Sequence, residues 1–124
     1  MPPGIDRNSQ SETLTIASGA ALSGVFDFRA FANGVVIVPG TWTDANLGFY
    51  VCDTVDGTFV PLVDDAGAPI QISGIATNKS KAYALPDQLF PCKFVKLWSK
   101  STTAATETDT NQGAARSLVV MKKG

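Results

Sequence analysis

Two cysteines and four clustered carboxylates are the groups in this chain whose types and spacing suggest chemistry, and there is no histidine to assist them. That absence excludes Ser-His-Asp and Cys-His nucleophile pairs, histidine zinc sites and the usual general base near neutral pH. Asp53, Asp56, Asp64 and Asp65 could in principle form a carboxylate pair for glycoside hydrolysis or a calcium loop. Their spacing has no EF-hand pattern, and Asp56-Gly57 and Asp64-Asp65-Ala66-Gly67 are ordinary turn chemistry. Turns are the favoured reading. Cys52 and Cys92 cannot complete a zinc tetrahedron without further nitrogen or sulfur ligands. If their strands are neighbours, both thiols face one side of a sheet. A disulfide would then close a loop of about 40 residues, worth roughly 4 kcal/mol. The favoured alternative is two separate, partly buried thiols in a reducing compartment. No catalytic residue, metal ligand or cofactor site is expected, and the chain reads as a non-enzyme.

The elements that must position these groups are short strands. Leu14 and Ile16 alternate with threonines; Val25 to Phe28 alternates again; Gly34 to Val38 is a continuous β-branched run closed by Pro39-Gly40. Leu47, Phe49 and Val51 share one face of the next strand, with Tyr50 and Cys52 on the other. Asp56-Gly57 then marks a hairpin into Thr58 to Val63, the pair being favoured where a positive φ is needed. Ile70, Ile72 and Ile75 alternate once more. The stretch 84–91, with two prolines, has room for a single helical turn anchored by Leu85, Leu89 and Phe90. Val95 and Leu97 point inward from the strand 93–99, a Thr-rich polar loop follows, and 116–121 closes the chain. About eight or nine short strands with almost no helical period predict an all-β, antiparallel β-sandwich, jelly-roll-like in plan. Residues 1–11 read as a flexible N-terminal arm and 12–124 as one domain.

Parity along these strands singles out the aromatic rings. Phe94 and Trp98 lie opposite Val95 and Leu97, and Tyr50 lies opposite Phe49. If the aliphatic residues are core, the three rings form an outward apolar patch with Lys93 and Lys96 as a polar rim, the anatomy of an interface. A loop or the arm laid across the rings would instead make them core. Trp42, in a turn, is a candidate sugar-stacking ring.

Composition narrows the partners. The chain has 124 residues, 44% of them hydrophobic, and a formal net charge of -1. That length is enough for a core without staples. The basic residues are scattered apart from Lys93, Lys96, Lys100 and Lys122-Lys123, too thin a field for a nucleic-acid partner. No apolar run has the length of a membrane span. The opening Met1-Pro-Pro-Gly-Ile-Asp-Arg7 lacks the features of a signal peptide, so folding in a cytoplasm is expected.

Three segments also carry a resemblance: Asn46 to Asp64, Tyr83-Ala-Leu-Pro86 with Leu89 to Leu97, and Asn111-Gln-Gly-Ala-Ala-Arg116. From about Trp42 onward the chain resembles small proteins encoded among the virion structural genes of tailed bacteriophages. Members typically lack cysteine at the positions of Cys52 and Cys92, so a disulfide would be particular to this chain. The resemblance implies a virion location, assembly in the host bacterial cytoplasm, and a capsid decoration (cement) or head-tail accessory role. The implied partners are the major capsid protein or other virion proteins, and a homo-oligomer, with a trimer favoured. A fainter likeness to discoidin-like jelly rolls rests on Val51 to Phe59 and Phe94-Val-Lys-Leu97. It supports the fold, and leaves a carbohydrate-binding module on a fibre as the alternative.

Overall fold

Alternation sets the architecture from the first strand. In Ser9–Ile16 (β1), Leu14 and Ile16 are buried while Thr13 and Thr15 face solvent. The computed structural model describes residues 9–29, 33–103 and 107–123. Eight further strands follow: Leu22–Asp27 (β2), Asn33–Val38 (β3), Asn46–Cys52 (β4), Val60–Pro61 (β5), Gln71–Ile72 (β6), Lys81–Ala84 (β7), Phe94–Lys100 (β8) and Arg116–Lys123 (β9). Every pairing is antiparallel. The expected helical turn is present as a single 3-10 turn, Asp87–Leu89, with Leu89 buried beneath it. Among the described residues there is no α-helix, and the fold is the all-β antiparallel sandwich that the alternation predicts.

The strands form one curled sheet in the order β5-β4-β8-β2-β1-β9-β3-β7, with β6 sharing the edge of β4 that β5 occupies. The sheet bends sharply between β1 and β2, which pair only at Ile16 and Ser23. One half is therefore β1, β9, β3 and β7; the other is β2, β8 and β4 with its two short neighbours. Their inner faces meet. Leu14, Ile16, Val36, Val38, Leu118 and Val120 from the first half pack in one cluster with Phe26, Leu47, Phe49, Val95 and Leu97 from the second. At the bend the β2–β8 register shifts between Leu22 and Val25. The Ser23 hydroxyl accepts the Leu97 amide at 2.9 Å there, so that buried donor keeps a partner across the irregularity.

Several expectations about local structure need correcting. The arm was expected to run to residue 11, but residues 9–11 belong to β1 and pair with Lys123, Lys122 and Met121; residues 1–8 lie outside the described residues. The apolar run of β9, extending to Lys123, gives those residues a partner that composition alone does not reveal. The hairpin from β4 to β5 exists, but Gly57 is not among the glycines at positive φ. Its value is space, because a Cβ there would collide with Thr54 Oγ1 and lie 2.6 Å from Cys52 Sγ. The Asp64 turn is as expected: Gly67 sits at φ 81°, and Asp64 Oδ1 accepts the amides of Ala66 and Ala68. The strands around 60 and 71 are shorter than alternation suggests, since Pro61 and Pro69 withhold ladder donors.

Candidate functional site

The outer face of the β2-β8-β4 half carries the residues that sequence parity selected. Register sets Tyr50 beside Lys96, Cys52 beside Phe94, and Gly48 beside Trp98. The rings do point away from Val95 and Leu97. They are not exposed, however: Trp98 is 3% and Phe94 8% accessible, and Tyr50 is half-buried. The open patch expected at Tyr50, Phe94 and Trp98 is therefore corrected to a covered cluster. Its cover is cationic. The Arg29 guanidinium lies 4.8 Å from the Phe94 ring centre and is held by Asp27 at 2.8 Å; Lys100 Nζ lies 5.1 Å from the Trp98 ring. Lys96, expected on a polar rim, is half-buried with its ammonium 4.8 Å from the Phe59 ring. Arg29 keeps its head near water while Lys100 is buried with its ring, and each lays charge over an apolar face, which is why alternation alone misjudges exposure.

The segment after β8 completes the cover. Trp98 Nε1 donates to Asp109 Oδ1 at 2.8 Å, and Tyr50 meets Trp98 edge to face at 4.9 Å. Ser101 N donates to the Thr108 carbonyl, Thr110 N to the Ser99 carbonyl, and Lys100 Nζ lies 3.3 Å from Glu107 Oε1. The polar loop expected to be a mobile contact element is thus laced back along β8 wherever it is described; residues 104–106 lie outside the described residues. Burial raises the ionisation of the Tyr50 hydroxyl above the ordinary phenol value, and the carboxylates of Asp109 and Glu107 raise it further. Hydrogen bonding from Arg29 holds the Asp27 carboxyl below the usual range.

A second surface lies at the β4–β5 hairpin. Val55, Val60 and Val63 are 58%, 52% and 41% accessible, three of the four large hydrophobic residues exposed among those described. Val60 also walls a cleft of about 390 Å³ together with Val51, Pro91 and both cysteines, with Asp53, Thr58 and Lys93 at its polar edge. Lys93, exposed, is thus a rim residue, though of this cleft rather than of the aromatic cluster. Both cysteines are free, which corrects the disulfide alternative. Cys92 sits in the turn before β8, where its thiol is directed to the Gln88 carbonyl at 3.6 Å rather than across to β4. Its ionisation is pushed up by burial. Cys52 Sγ lies 3.7 Å from Thr54 Oγ1.

No family model matches the chain, and no curated protein is significantly similar to it.

Trp42 is corrected as well. It is 2% accessible, donates its indole N–H to the Ala45 carbonyl at 3.0 Å, and belongs to the core, so no sugar can stack on it. The residue that sequence reasoning missed is Gln112, fully buried at one end of the sandwich. Its Oε1 accepts from the Thr43 amide and from Arg116 Nε, and its Nε2 donates to the Thr43 carbonyl and Ser99 Oγ. Four elements are joined by one satisfied amide, a structural role with no signature beyond a polar residue next to a glycine. Strand β7 was also missed: Lys81-Ala-Tyr-Ala84 offers one β-former, and its pairing with β3 decides its state. Among the described residues no group of three or more His, Cys, Asp or Glu side chains converges.

Proposed function

We propose that this chain is a non-enzymatic structural protein of a tailed-bacteriophage particle, a capsid decoration protein that binds the outer surface of the head. The observation that carries the reading is the exposed Val60 on the wall of its cleft, with Val55 and Val63 exposed to either side of it along the chain. Three β-branched side chains held in water within residues 55–63 are a standing hydrophobic cost, relieved when a partner covers them. A half-open apolar cleft edged by Asp53 and Lys93 offers a pocket for one anchoring side chain and a polar rim to fix its orientation. The virion setting rests on the resemblance of Asn46 to Asp64, which covers this same hairpin. The partner is the major capsid protein or another virion protein, and repetition over a symmetric shell strengthens a modest contact by avidity.

Co-sedimentation with heads assembled without this protein tests the proposal. The chain should pellet with the heads to saturation. Val60→Asp combined with Val55→Asp should weaken attachment at least roughly tenfold, about 1.4 kcal/mol, while the melting temperature moves little because both sites are exposed. A chain that stays in the supernatant at saturating head concentration sinks the reading.

A further inference from the structure

Among the described residues, no strand pairs across or packs on the outer face of the other half-sheet, and its composition is unlike the rest of the surface. Strands β1, β9, β3 and β7 turn every second residue outward, and register aligns these in rows: Ser11 with Met121 and Val35, Thr13 with Val119 and Ile37. Thr13 and Thr15 are exposed, Met121 is 38% accessible, and Val35, Ile37 and Val119 are half-buried. The outward positions of β7 are alanines. A single charge, Lys123, lies at one end, in register with Asn33. The largest apolar side chains occupy the two central strands, with hydroxyls flanking them on the β1 side and alanines on the β7 side.

We propose that this face is the contact between two copies of the chain, packed sheet on sheet about a two-fold axis that runs along the strands between β9 and β3. This lies on a different surface from the shell-binding hairpin and stands or falls separately. A face with almost no charge gives no attraction to an anionic surface or a basic segment, but it fits itself. Such an axis preserves height along the strands, so it sets β9 over the other copy's β3 and β1 over its β7. Met121 then lies over the second copy's Val35, Val119 over its Ile37, and Lys123 over its Asn33. No lysine meets a lysine. The threonine row meets the alanine row, where small side chains leave room. Each sheet residue covers about 16 Å² in plan, from a rise of about 3.4 Å and a strand spacing of about 4.8 Å. The four strands thus present roughly 400 Å² per copy. Two copies, with the relief of their side chains, reach the lower bound of about 1,000 Å² for a specific interface. Aligned sheets about 10 Å apart are the ordinary way in which such faces interdigitate.

Sedimentation velocity of the full chain across a concentration series is the test. The expected result is reversible conversion from 13.0 kDa monomer to a species of twice that mass, with half-conversion in roughly the micromolar range, the weak end for specific interfaces. Met121→Glu places a carboxylate over Val35 twice per dimer and should weaken the pair at least tenfold. Val35→Lys should do the same. An equimolar mixture of the two variants should restore the dimer, because one glutamate then meets one lysine. Fluorescence of the two buried tryptophans reports whether each variant is folded. A wild-type monomer throughout the series, a trimer, or a dimer unmoved by Met121→Glu in a folded variant overturns the proposal. So does a mixture of folded variants that fails to recover the pair.

Discussion

At the scale of single residues, the chain buries charge and ring together. Lys100 and Lys122 are each 2% accessible, and each is answered: Lys100 by Glu107 and the Trp98 ring, Lys122 by Glu12 and by the Asp27 carbonyl at 2.7 Å. A buried ammonium without such partners would be strongly destabilising, so these contacts offset a cost rather than add a surplus. Tyr50 reports on the same cluster. Its ionisation is raised by burial first and by Asp109 and Glu107 second. An acid whose folded pKa is raised contributes stability that is complete below its ordinary pKa and is lost as pH rises through the folded value. Ultraviolet titration of the native protein should therefore show one phenol ionising above the ordinary value of about 10. Asp109→Asn should bring that midpoint part of the way down while still accepting the Trp98 N–H. A native titration in which no phenol ionises above the ordinary value would count against the buried setting of Tyr50.

At the scale of elements, β4 and β8 are locked by a missing side chain. A Cβ on Gly48 would lie 2.9 Å from Trp98 Cε3 and 2.8 Å from Lys100 Cδ, so bare backbone lets the indole rest against β4. Gly48→Ala should cost about 1–3 kcal/mol through overpacking, read as a lower urea midpoint at unchanged slope. Gly24→Ala, which adds a methyl where nothing lies within 4 Å, is the control and should be neutral or mildly stabilising. Equal midpoints for both would show that the β4–β8 seam yields freely. The strands themselves were legible from Leu14-Ile16, Leu47-Phe49 and Val95-Leu97, because period-two burial is written locally. The side on which Trp98 points was legible for the same reason. What covers Trp98 and Phe94 was not. Arg29 arrives from another strand's end and Asp109 from a returning segment, and neither approach leaves a periodic trace. Trp42 failed differently: in a turn, parity gives no direction, and its burial follows from the Ala45 carbonyl that receives its N–H. The valine hairpin was visible as residues but not as exposed surface, since exposure depends on how soon β5 ends.

At the scale of the whole molecule, β1 and β9 pair along all eight residues, from Ser9 with Lys123 to Ile16 with Arg116. Deleting residues 1–11 removes three of those pairs. At about 0.5–1.5 kcal/mol net per hydrogen bond, the melting temperature should fall by roughly 5–10 °C, whereas deleting only residues 1–8 should spare the whole ladder. Calorimetry on the two truncations decides this, and identical transitions would mean that the first turn of β1 contributes nothing. The position of β9 has a consequence for how the molecule is made. Among the described strands it is made after the other eight, yet it stands between β1 and β3 and carries the pairing that joins β3 and β7 to the rest of the described sheet. While the ribosome is still reading toward Arg116, the earlier strands of that half wait with open edges, and β1 must stay available for a partner more than a hundred residues downstream. Assembly of this half therefore waits until the segment 116–123 has emerged. A pause in elongation before residues 116–123 are made would leave a half-built sheet whose nearest match is another half-built copy.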